Sequence, residues 1–252
     1  MKKIPKRILY PLLLVTAFFV GEMIFVVEDN DIISHLSEKI ETPPPSPYVK
    51  ISELDNHFRE AADSIDWDWK LIAAICYTES KFDSTAVSHV GAYGVMQMLP
   101  KTLRSLGVPD SLHTDTRTNI NAGARYLKKL ERIFRRIKDF DERLNFVLAS
   151  YNAGIGQVND AMALAQKYGR SRYVWNNGVD TFLILKKYPE YYNDSVCKAG
   201  SFNSSNETLS FVKKVTTRWK RYQRLQSSYE DSLKAALRAN DSIFNRHILD
   251  QQ

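Results

Sequence analysis

Glu79 is the residue of this sequence best placed for acid–base chemistry. It lies near the end of the stretch 71–82, in which Leu71, Ile72 and Ile75 follow helical spacing. At about 100° per residue, Glu79 points along the same helix face as Ile72 and Ile75. Burial of an unpaired carboxylate raises its pKa and keeps its proton near neutral pH, as a general acid requires. The alternative is a glutamate whose side chain leaves the helix end for solvent.

Three short motifs follow one another along the chain. They are Glu79-Ser-Lys-Phe82 at the end of the predicted helix, Gly91-Ala-Tyr-Gly-Val-Met-Gln97, and Ser150-Tyr-Asn-Ala-Gly154. In order and separation they resemble the signatures of the lytic transglycosylases of peptidoglycan, whose fold is related to goose-type lysozyme. Within that family the likeness is greatest to the catalytic domain of the membrane-bound lytic murein transglycosylase F type, without its N-terminal solute-binding-like domain.

The resemblance implies a mainly α, lysozyme-like (goose-type lysozyme/SLT) helical domain and a carbon–oxygen lyase activity. In the family one glutamate, matched here by Glu79, protonates the β-1,4 glycosidic oxygen between N-acetylmuramic acid and N-acetylglucosamine. The same glutamate then acts as base on the 6-hydroxyl of that muramic acid. A 1,6-anhydro ring forms, and no water is consumed.

The resemblance also assigns substrate-binding residues near the acid. Ser88 and Gln97 match polar contacts to the sugar, and hydroxyl and amide groups suit an uncharged saccharide. Met96 matches a residue that lines the cleft. Tyr151 matches a tyrosine whose hydroxyl faces the catalytic glutamate.

Two more substrate-binding positions follow from the resemblance, and two positions depart from it. We expect Asn152 to brace the loop beside the substrate and Glu207 to approach the cleft from a later motif. Phe211 replaces a tyrosine of that motif, which removes one hydroxyl, and Ser150 replaces an alanine. The five histidines show no ligand spacing, so we predict no metal and no cofactor.

Two other functions remain open at this point. A hydrolytic muramidase of the goose-lysozyme type generally uses a second carboxylate, for which Asp83 and Asp115 are candidates that no motif selects. An inactive peptidoglycan-binding scaffold would need no buried acid. The set of Glu79, Gln97 and Tyr151 argues against that scaffold.

The N-terminal part of the chain predicts a membrane attachment. Basic residues precede an apolar run over residues 8–27, which is long enough to cross a bilayer and has no small-x-small cleavage site. We therefore expect residues 1–27 to be a membrane anchor, with a removed signal peptide as the alternative. The basic residues before the run and the acidic residues after it predict that the rest of the chain lies on the periplasmic side of the inner membrane. Residues 28–47 end in consecutive prolines and predict an extended linker.

From residue 48 onward the pattern is helical. Apolar spacing predicts the stretch 71–82 and the further helices 54–65, 119–137, 141–149, 159–168 and 207–225. No segment shows the alternation of a strand. We assign residues 48–225 to the catalytic domain and residues 226–252 to a C-terminal helical tail, which could dock on the domain or bind a partner in the cell-wall machinery.

Aromatic and cysteine residues near Glu79 have a structural interpretation. We expect Trp67 and Trp69 to anchor the core rather than stack on sugars. Cys76 falls on the apolar part of the helix and would behave as a small buried residue. A disulfide with Cys197 is the alternative, because the compartment permits it.

The chain is basic, with a net charge of +6. Because the linker is acidic, the excess of positive charge lies in the catalytic domain and the tail. This charge suits an anionic partner, and the peptides of peptidoglycan carry free carboxylates. Nucleic acid is the competing interpretation. The basic runs 128–138 and 213–224 contain apolar residues at helical spacing, so we expect them to be solvated helix faces and predict no nucleic-acid partner.

Overall fold

The computed structural model describes residues 47–249, with side chains except at 237 and 239–249. The predicted anchor and all but the last residue of the predicted linker lie outside the described residues, as do residues 250–252. The chain divides into two compact units. One is Lys50–Gln223, and the other consists of Met1–Val49 with Arg224–Gln252.

The unit Lys50–Gln223 is built from helices and loops, which confirms the predicted mainly α class. Its helices are α1 (Asp55–Asp63), α2 (Trp69–Ser80), α3 (Pro100–Ser105), α4 (Thr116–Ile133), α5 (Phe140–Ala153), α6 (Ile155–Lys167), α7 (Asp180–Leu185), α8 (Pro189–Tyr192) and the first part of α9 (Ser205–Leu249). A 3₁₀ turn covers Asp110–Leu112, and an irregular turn covers Trp175–Val179. Between residues 47 and 249, extended pairing is limited to two single bridges, Val87 with Tyr93 and Tyr93 with Met98.

The helices predicted from apolar spacing are present with shifted ends. The helix predicted to begin at residue 119 begins at Thr116, because the Asp115 side chain caps it by accepting the backbone N–H of Thr118. The helix predicted over 159–168 begins directly after Gly154, whose φ of 86° ends α5. Spacing did not predict α3, α7 and α8, because four to six residues are too few for a helical period to repeat.

Helix α2 lies at the centre of the core. Every residue from 71 to 76 is fully buried, as expected for a helix surrounded by others. Helix α1 packs on α2 and on α4, and α5 packs on α4 and on α6. The predicted packing of both tryptophans is confirmed. Trp69 is buried under the guanidinium of Arg59, and Trp67 packs edge-on against Phe140.

Asp68 fixes the beginning of α2 and joins it to α9. Its Oδ1 accepts the backbone N–H of Lys70 at 3.0 Å, and its Oδ2 accepts the indole N–H of Trp219 at 2.8 Å. Burial opposes the charge of this carboxylate, but the hydrogen bonds from Trp219 and Lys70 hold the pKa of Asp68 below its ordinary value. One ionised side chain therefore caps the central helix and holds a helix far away in sequence.

The second unit has its own polar contact. The Gln226 side chain donates to the carbonyl of Pro47 at 2.9 Å and accepts the backbone N–H of Val49 at 3.0 Å. Within residues 47–249, none of the helices combines the length and the apolar character that a membrane span needs.

A buried ion pair joins α6 to the C-terminal end of α7. Lys186 is fully buried, and its Nζ donates to the Asp160 carboxylate at 2.6 Å and to the Gln157 side chain. The same carboxylate accepts the backbone N–H groups of Lys198 at 2.9 Å and Ala199 at 2.8 Å. The other partners of these two side chains are uncharged. Removal of either Asp160 or Lys186 therefore leaves the remaining buried charge without its counter-ion.

Asp160→Ala should lower the free energy of unfolding by about 3–5 kcal/mol, because the buried Lys186 ammonium loses its counter-ion. The double variant Asp160→Leu/Lys186→Met leaves no buried charge and should recover part of that loss. Urea denaturation followed by circular dichroism measures both. Arg104→Ala is the control, since it breaks an exposed pair with Asp110 and should cost less than about 1 kcal/mol. An equally small loss for Asp160→Ala would contradict the prediction.

Candidate active site

Glu79 lies in the last turn of α2, and its side chain is partly buried. Desolvation by the surrounding protein raises its pKa from 4.5 to about 8. Desolvation is the cause of this shift, and no cation or hydrogen-bond donor of the described chain offsets it. The shift has the direction expected from the apolar face of the helix. The carboxyl group is therefore protonated at neutral pH and can donate its proton.

Two neighbouring groups share the environment of Glu79. Cys76 is fully buried one turn earlier, and burial together with the charge of Glu79 raises the pKa of its thiol. The pKa of Tyr151 is raised by the same two causes, burial first. Both groups are therefore neutral at physiological pH. Cys76 and Cys197 are free thiols, so the disulfide considered from the sequence is not formed.

The chain leaves α2 through two left-handed residues. Lys81 has a φ of 56° and Phe82 a φ of 71°, which cost non-glycine residues roughly 1 kcal/mol each. The Phe82 ring packs against Phe58 and Tyr77, and this packing compensates for the strained turn. The turn starts the loop 81–99, which contains the second sequence motif.

Backbone pairing gives the loop 81–99 a defined shape. Tyr93 and Met98 exchange both backbone hydrogen bonds, at 3.0 and 2.9 Å. Ser88 donates its N–H to the Ala92 carbonyl at 3.0 Å, and its hydroxyl oxygen accepts the Ala92 N–H at 3.0 Å. The Ser88 hydroxyl can still donate a hydrogen bond to another acceptor.

Gln97 uses one end of its amide to hold the same loop. Its Nε2 donates to the carbonyl of Gly94 at 2.9 Å and to that of Ala86 at 3.2 Å. Its backbone is left-handed, with a φ of 47°. No hydrogen bond from residues 47–249 reaches its Oε1, so this oxygen is free to accept one from a ligand.

Asn119, on α4, holds this loop and was not selected by any sequence motif. It is 1% exposed. Its Oδ1 accepts the backbone N–H of Met96 at 2.9 Å, and its Nδ2 donates to the Tyr93 carbonyl at 3.0 Å. Gly94 leaves room for it, because a Cβ there would lie 2.9 Å from the Asn119 Cγ. The one sign of this role in the sequence is a polar residue on the buried face of a helix.

Tyr151, on α5, directs its hydroxyl to the loop. The hydroxyl donates to the Met96 carbonyl at 2.6 Å and lies 3.1 Å from the Met98 sulfur. No hydrogen bond within the described part of the chain joins it to Glu79, although the charge of Glu79 acts on its pKa. The ring lies parallel to that of Phe211, with centroids 6.4 Å apart. Phe211 therefore supports Tyr151 by packing.

The Met96 side chain belongs to the core and not to the cleft that the resemblance implied. It is fully buried and fills the space above Gly123 of α4, where a Cβ would lie 2.3 Å from the Met96 sulfur. The absence of a side chain at Gly123 is the physical reason for this placement. What Met96 presents to the site is its backbone carbonyl.

Asn152 and Glu207 lie at the end of α5 and the beginning of α9. The Thr208 hydroxyl donates to the Asn152 Oδ1 at 2.7 Å, so Asn152 ties the two helices together in the way expected of a brace. Glu207 is exposed in the first turn of α9. Ser150 is fully buried, and its hydroxyl has no hydrogen-bond partner among residues 47–249.

The two candidate second carboxylates are engaged in local structure. Asp83 accepts hydrogen bonds from the hydroxyl and the backbone N–H of Thr85, and these lower its pKa. Asp115 caps α4, and its hydrogen bonds from Thr118 likewise lower its pKa. Both side chains are exposed and ionised at neutral pH.

Comparison with known proteins identifies the family. The family model of the transglycosylase SLT domain matches residues 56–174, which include α1 to α6 and the loop 81–99. This part of the chain is a transglycosylase SLT domain. Glu79, Gln97 and Tyr151 lie within the matched range, whereas Glu207 lies beyond it.

Relatives of the SLT domain include much longer proteins. The membrane-bound lytic murein transglycosylase F of Desulfosudis oleivorans is 36% identical over 170 residues, which are 68% of this chain and 36% of that protein. The protein of the same name from Maricaulis maris is 34% identical over 63% of this chain and 33% of its own length. The chain thus spans about a third of the length of the curated relatives it matches. An inactive mutant of the lytic transglycosylase Slt from Pseudomonas aeruginosa aligns with 68% of this chain and 24% of its own, at 26% identity and a TM-score of 0.46.

Glu79→Gln should stabilise the SLT domain increasingly as the pH rises. Between the unfolded pKa of about 4.3 and the folded pKa of about 8, the folded protein binds more protons than the unfolded chain, so its stability falls with pH. Glutamine does not ionise. The gain over the wild type should therefore grow across this interval, to at most about 5 kcal/mol, and stay constant above it.

Urea unfolding of both proteins at several pH values from about 5 to 9 measures this difference. Asp83→Asn is a control of opposite sign, because the pKa of Asp83 is lowered. Its effect should be a loss of stability that stays constant across this interval, because the folded and unfolded pKa values of Asp83 both lie below it. A stability difference between Glu79→Gln and wild type that does not change with pH would contradict the desolvation of Glu79.

Proposed function

We propose that the SLT domain of this chain is a lytic murein transglycosylase. It cleaves the β-1,4 bond between N-acetylmuramic acid and N-acetylglucosamine and leaves 1,6-anhydro-N-acetylmuramic acid ends. The observation that carries the proposal is the Glu79 carboxyl, which is desolvated, has no counter-ion in the described chain and has a pKa of about 8. Such a group can give a proton to a leaving oxygen at neutral pH.

Glu79 serves twice in this reaction. Its carboxyl proton passes to the glycosidic oxygen while the bond from that oxygen to the anomeric carbon breaks, and the bonding electrons leave with the oxygen. The Glu79 carboxylate then takes the proton of the 6-hydroxyl of the same muramic acid. The freed oxygen bonds to the anomeric carbon and closes the ring. Glu79 ends protonated, as it began, and no water is consumed.

The arrangement around Glu79 favours the internal hydroxyl over water as nucleophile. A hydrolase generally uses a second carboxylate to act as a nucleophile or to activate water. Asp83 and Asp115 are exposed, and each binds local backbone instead. This supports the transglycosylase over the hydrolytic muramidase. The raised pKa of Glu79 argues against an inactive scaffold, because binding alone gains nothing from a desolvated acid.

The residues around Glu79 supply polar groups for the sugar chain. The free Oε1 of Gln97 can accept a hydrogen bond from a sugar hydroxyl or acetamido group, and the Ser88 hydroxyl can donate one. Tyr151 positions the Met96 carbonyl. Asn152 keeps its amide nitrogen available, since its oxygen binds Thr208, and Glu207 extends the polar edge from α9. We assign these residues to substrate binding and positioning.

The product of the reaction tests the proposal. Purified protein incubated with peptidoglycan should release muropeptides that end in 1,6-anhydro-N-acetylmuramic acid, lighter than hydrolysis products by one water. Glu79→Gln keeps the shape of the side chain but has no proton to donate, so it should abolish release, while circular dichroism shows an intact fold. Mass spectrometry distinguishes the outcomes. Reducing-end products would establish a muramidase, and a folded wild type without products would establish a scaffold.

We also propose that the chain acts in the bacterial cell envelope, on the periplasmic side. Residues 1–27 would anchor it in the inner membrane, residues 28–47 would hold the catalytic domain away from the membrane, and residues 226–252 would form a C-terminal helical tail. The length of the apolar run and its basic flank support the anchor.

N-terminal sequencing of the protein purified from membranes tests the anchor. The expected result is a chain that retains residues 8–27. A mature chain that begins near residue 20–30 would replace the anchor by a cleaved signal peptide.

A further inference from the structure

A small cavity opens where three segments of the SLT domain meet. It has a volume of about 220 Å³. Its lining comes from the C-terminal end of α4 with the turn after it, from α6, and from the loop that follows α6. The end of the basic run 128–138 belongs to this lining, although the sequence predicted only a solvated helix face there. The fold therefore gives part of that run a concave surface.

The inner wall of the cavity is apolar. Phe134 and Ile137, in the turn after α4, and Met162 of α6 contribute to it, and each is at most 5% exposed. All three belong to the core of the domain, whose close packing holds the wall in place. Ile133 lies at the mouth and is 50% exposed. An apolar group that entered the cavity would remove this surface and its own from water.

Two arginines carry the positive charge of the cavity. The Arg172 Nη1 donates to the Gln166 Oε1 at 3.0 Å, and its guanidinium lies 5.7 Å from the ring centre of Tyr173. Arg136 lies beside the hydroxyl of the same tyrosine and lowers its pKa, through a hydrogen bond and through its charge. No carboxylate of residues 47–249 comes within salt-bridge distance of either guanidinium. Uncharged groups therefore position both cations and leave their charge uncompensated.

This combination selects a ligand that carries a carboxylate next to a large apolar group. Guanidinium groups bind carboxylates through two parallel hydrogen bonds, and the wall takes the apolar part. The volume is smaller than the roughly 300 Å³ at which small-molecule sites usually begin. The cavity therefore has room for one residue of a longer chain rather than for a complete small-molecule ligand. A single buried residue of this kind often dominates the binding of a partner.

A carboxyl-terminal residue meets both requirements at once, because its carboxylate and its side chain are attached to the same Cα. In an extended peptide successive side chains point to opposite faces. An acidic residue next to the apolar one would therefore direct its carboxylate away from the cavity. The next side chain on the same face lies about 7 Å along the peptide, which is too far for a cavity of this size.

We infer that this cavity binds the carboxyl-terminal residue of a partner protein, where that residue has a large apolar side chain. Arg136 and Arg172 would bind the carboxylate, and Phe134, Ile137 and Met162 would surround the side chain. The inference goes beyond the proposed function, because no candidate catalytic or substrate-binding residue lines the cavity.

Fluorescein-labelled peptides test the cavity by fluorescence polarisation, with the full-length protein in phosphatidylcholine nanodiscs. The probe is Gly-Ser-Gly-Ser-Leu with a free carboxyl end. Its amide lacks the charge, and Gly-Ser-Gly-Ser-Ser lacks the apolar side chain, so each should bind about tenfold more weakly. The amide of Gly-Ser-Asp-Leu-Ser has an internal carboxylate and should bind no better than the amide of the probe.

Three results with these peptides would overturn the inference. The first is a probe that does not bind the wild type. The second is an amide of the probe that binds as well as the free acid. The third is equal binding of the peptide with the internal Asp, which would show that a chain end is not required.

The double variant Arg136→Gln/Arg172→Gln locates the binding. It should bind the free-acid probe about tenfold more weakly than wild type and the amide of the probe equally well. Circular dichroism and the cleavage of peptidoglycan should match the wild type. Because peptide binding is measured without cleavage, a wild type that binds the probe but cleaves nothing would refute the proposed function alone.

A matched control removes two cations of the same basic run. Arg132 and Arg135 are exposed and lie outside the lining of the cavity. Arg132→Gln/Arg135→Gln should bind the probe as wild type does. If the two double variants lose affinity equally, net charge and not the cavity is responsible, and the inference is overturned.

Ile133→Asp tests the same cavity with both arginines in place. The residue is half-exposed, so the fold should tolerate the change. The added carboxylate at the mouth should repel that of the probe and weaken its binding about tenfold. If this variant and the arginine variant both keep the wild-type affinity, the peptide binds elsewhere and the inference fails.

Anionic vesicles distinguish a membrane from a protein partner. Phosphatidylglycerol vesicles added as competitor should displace the labelled probe no better than phosphatidylcholine vesicles do. If the anionic vesicles displace it and the zwitterionic vesicles do not, the arginines recognise lipid headgroups, and the inference is overturned.

Discussion

Desolvation of a single carboxyl group is the constraint on which the rest of this structure depends. Glu79 has a raised pKa because protein replaces water around it without supplying a counter-ion. This requires the helix that carries it to be surrounded, and residues 71–76 of α2 are fully buried. It also requires the N-terminal end of that helix to be held in place. Asp68 meets that need by capping α2 and binding Trp219 of α9 with the same carboxylate.

Two adjacent residues of the loop 81–99 receive support from three helices. Ser80, at the end of α2, donates to the carbonyl of Val95. Asn119 of α4 accepts the N–H of Met96, and Tyr151 of α5 donates to the Met96 carbonyl. A loop held this way keeps its side chains in place without regular secondary structure. Because the loop contributes only backbone groups to these three bonds, the arrangement depends on the shape of the loop more than on the identity of the bonded loop residues.

Polar side chains in this domain divide into those that complete the fold and those that remain available. Asp83, Asp115 and Asp160 are satisfied by protein groups. Lys213 and Lys214 on α9 have no such partners within residues 47–249. Carboxylates that accept hydrogen bonds from the protein are held by the fold, whereas exposed cations without a counter-ion keep their capacity to bind an anion.

The sequence by itself determined the elements that local physics controls. Apolar spacing predicted the helix that carries Glu79 and the mainly α class, because both depend on residues one or two turns apart. Order and spacing of three motifs likewise indicated the family. Helix ends were less accurate, since Asp115 and Gly154 act through cap geometry, which spacing does not contain.

Only the tertiary structure decided which groups meet across helices. Asn119 holds the loop because it forms hydrogen bonds with the backbone of Tyr93 and Met96, which are distant from it in sequence. The Met96 side chain lies in the core because Gly123 has no side chain to occupy that space. Arg218, in the basic run 213–224, packs on Tyr77 of α2. Each outcome depends on contacts between distant segments, and a linear pattern of residue types carries no information about such distances.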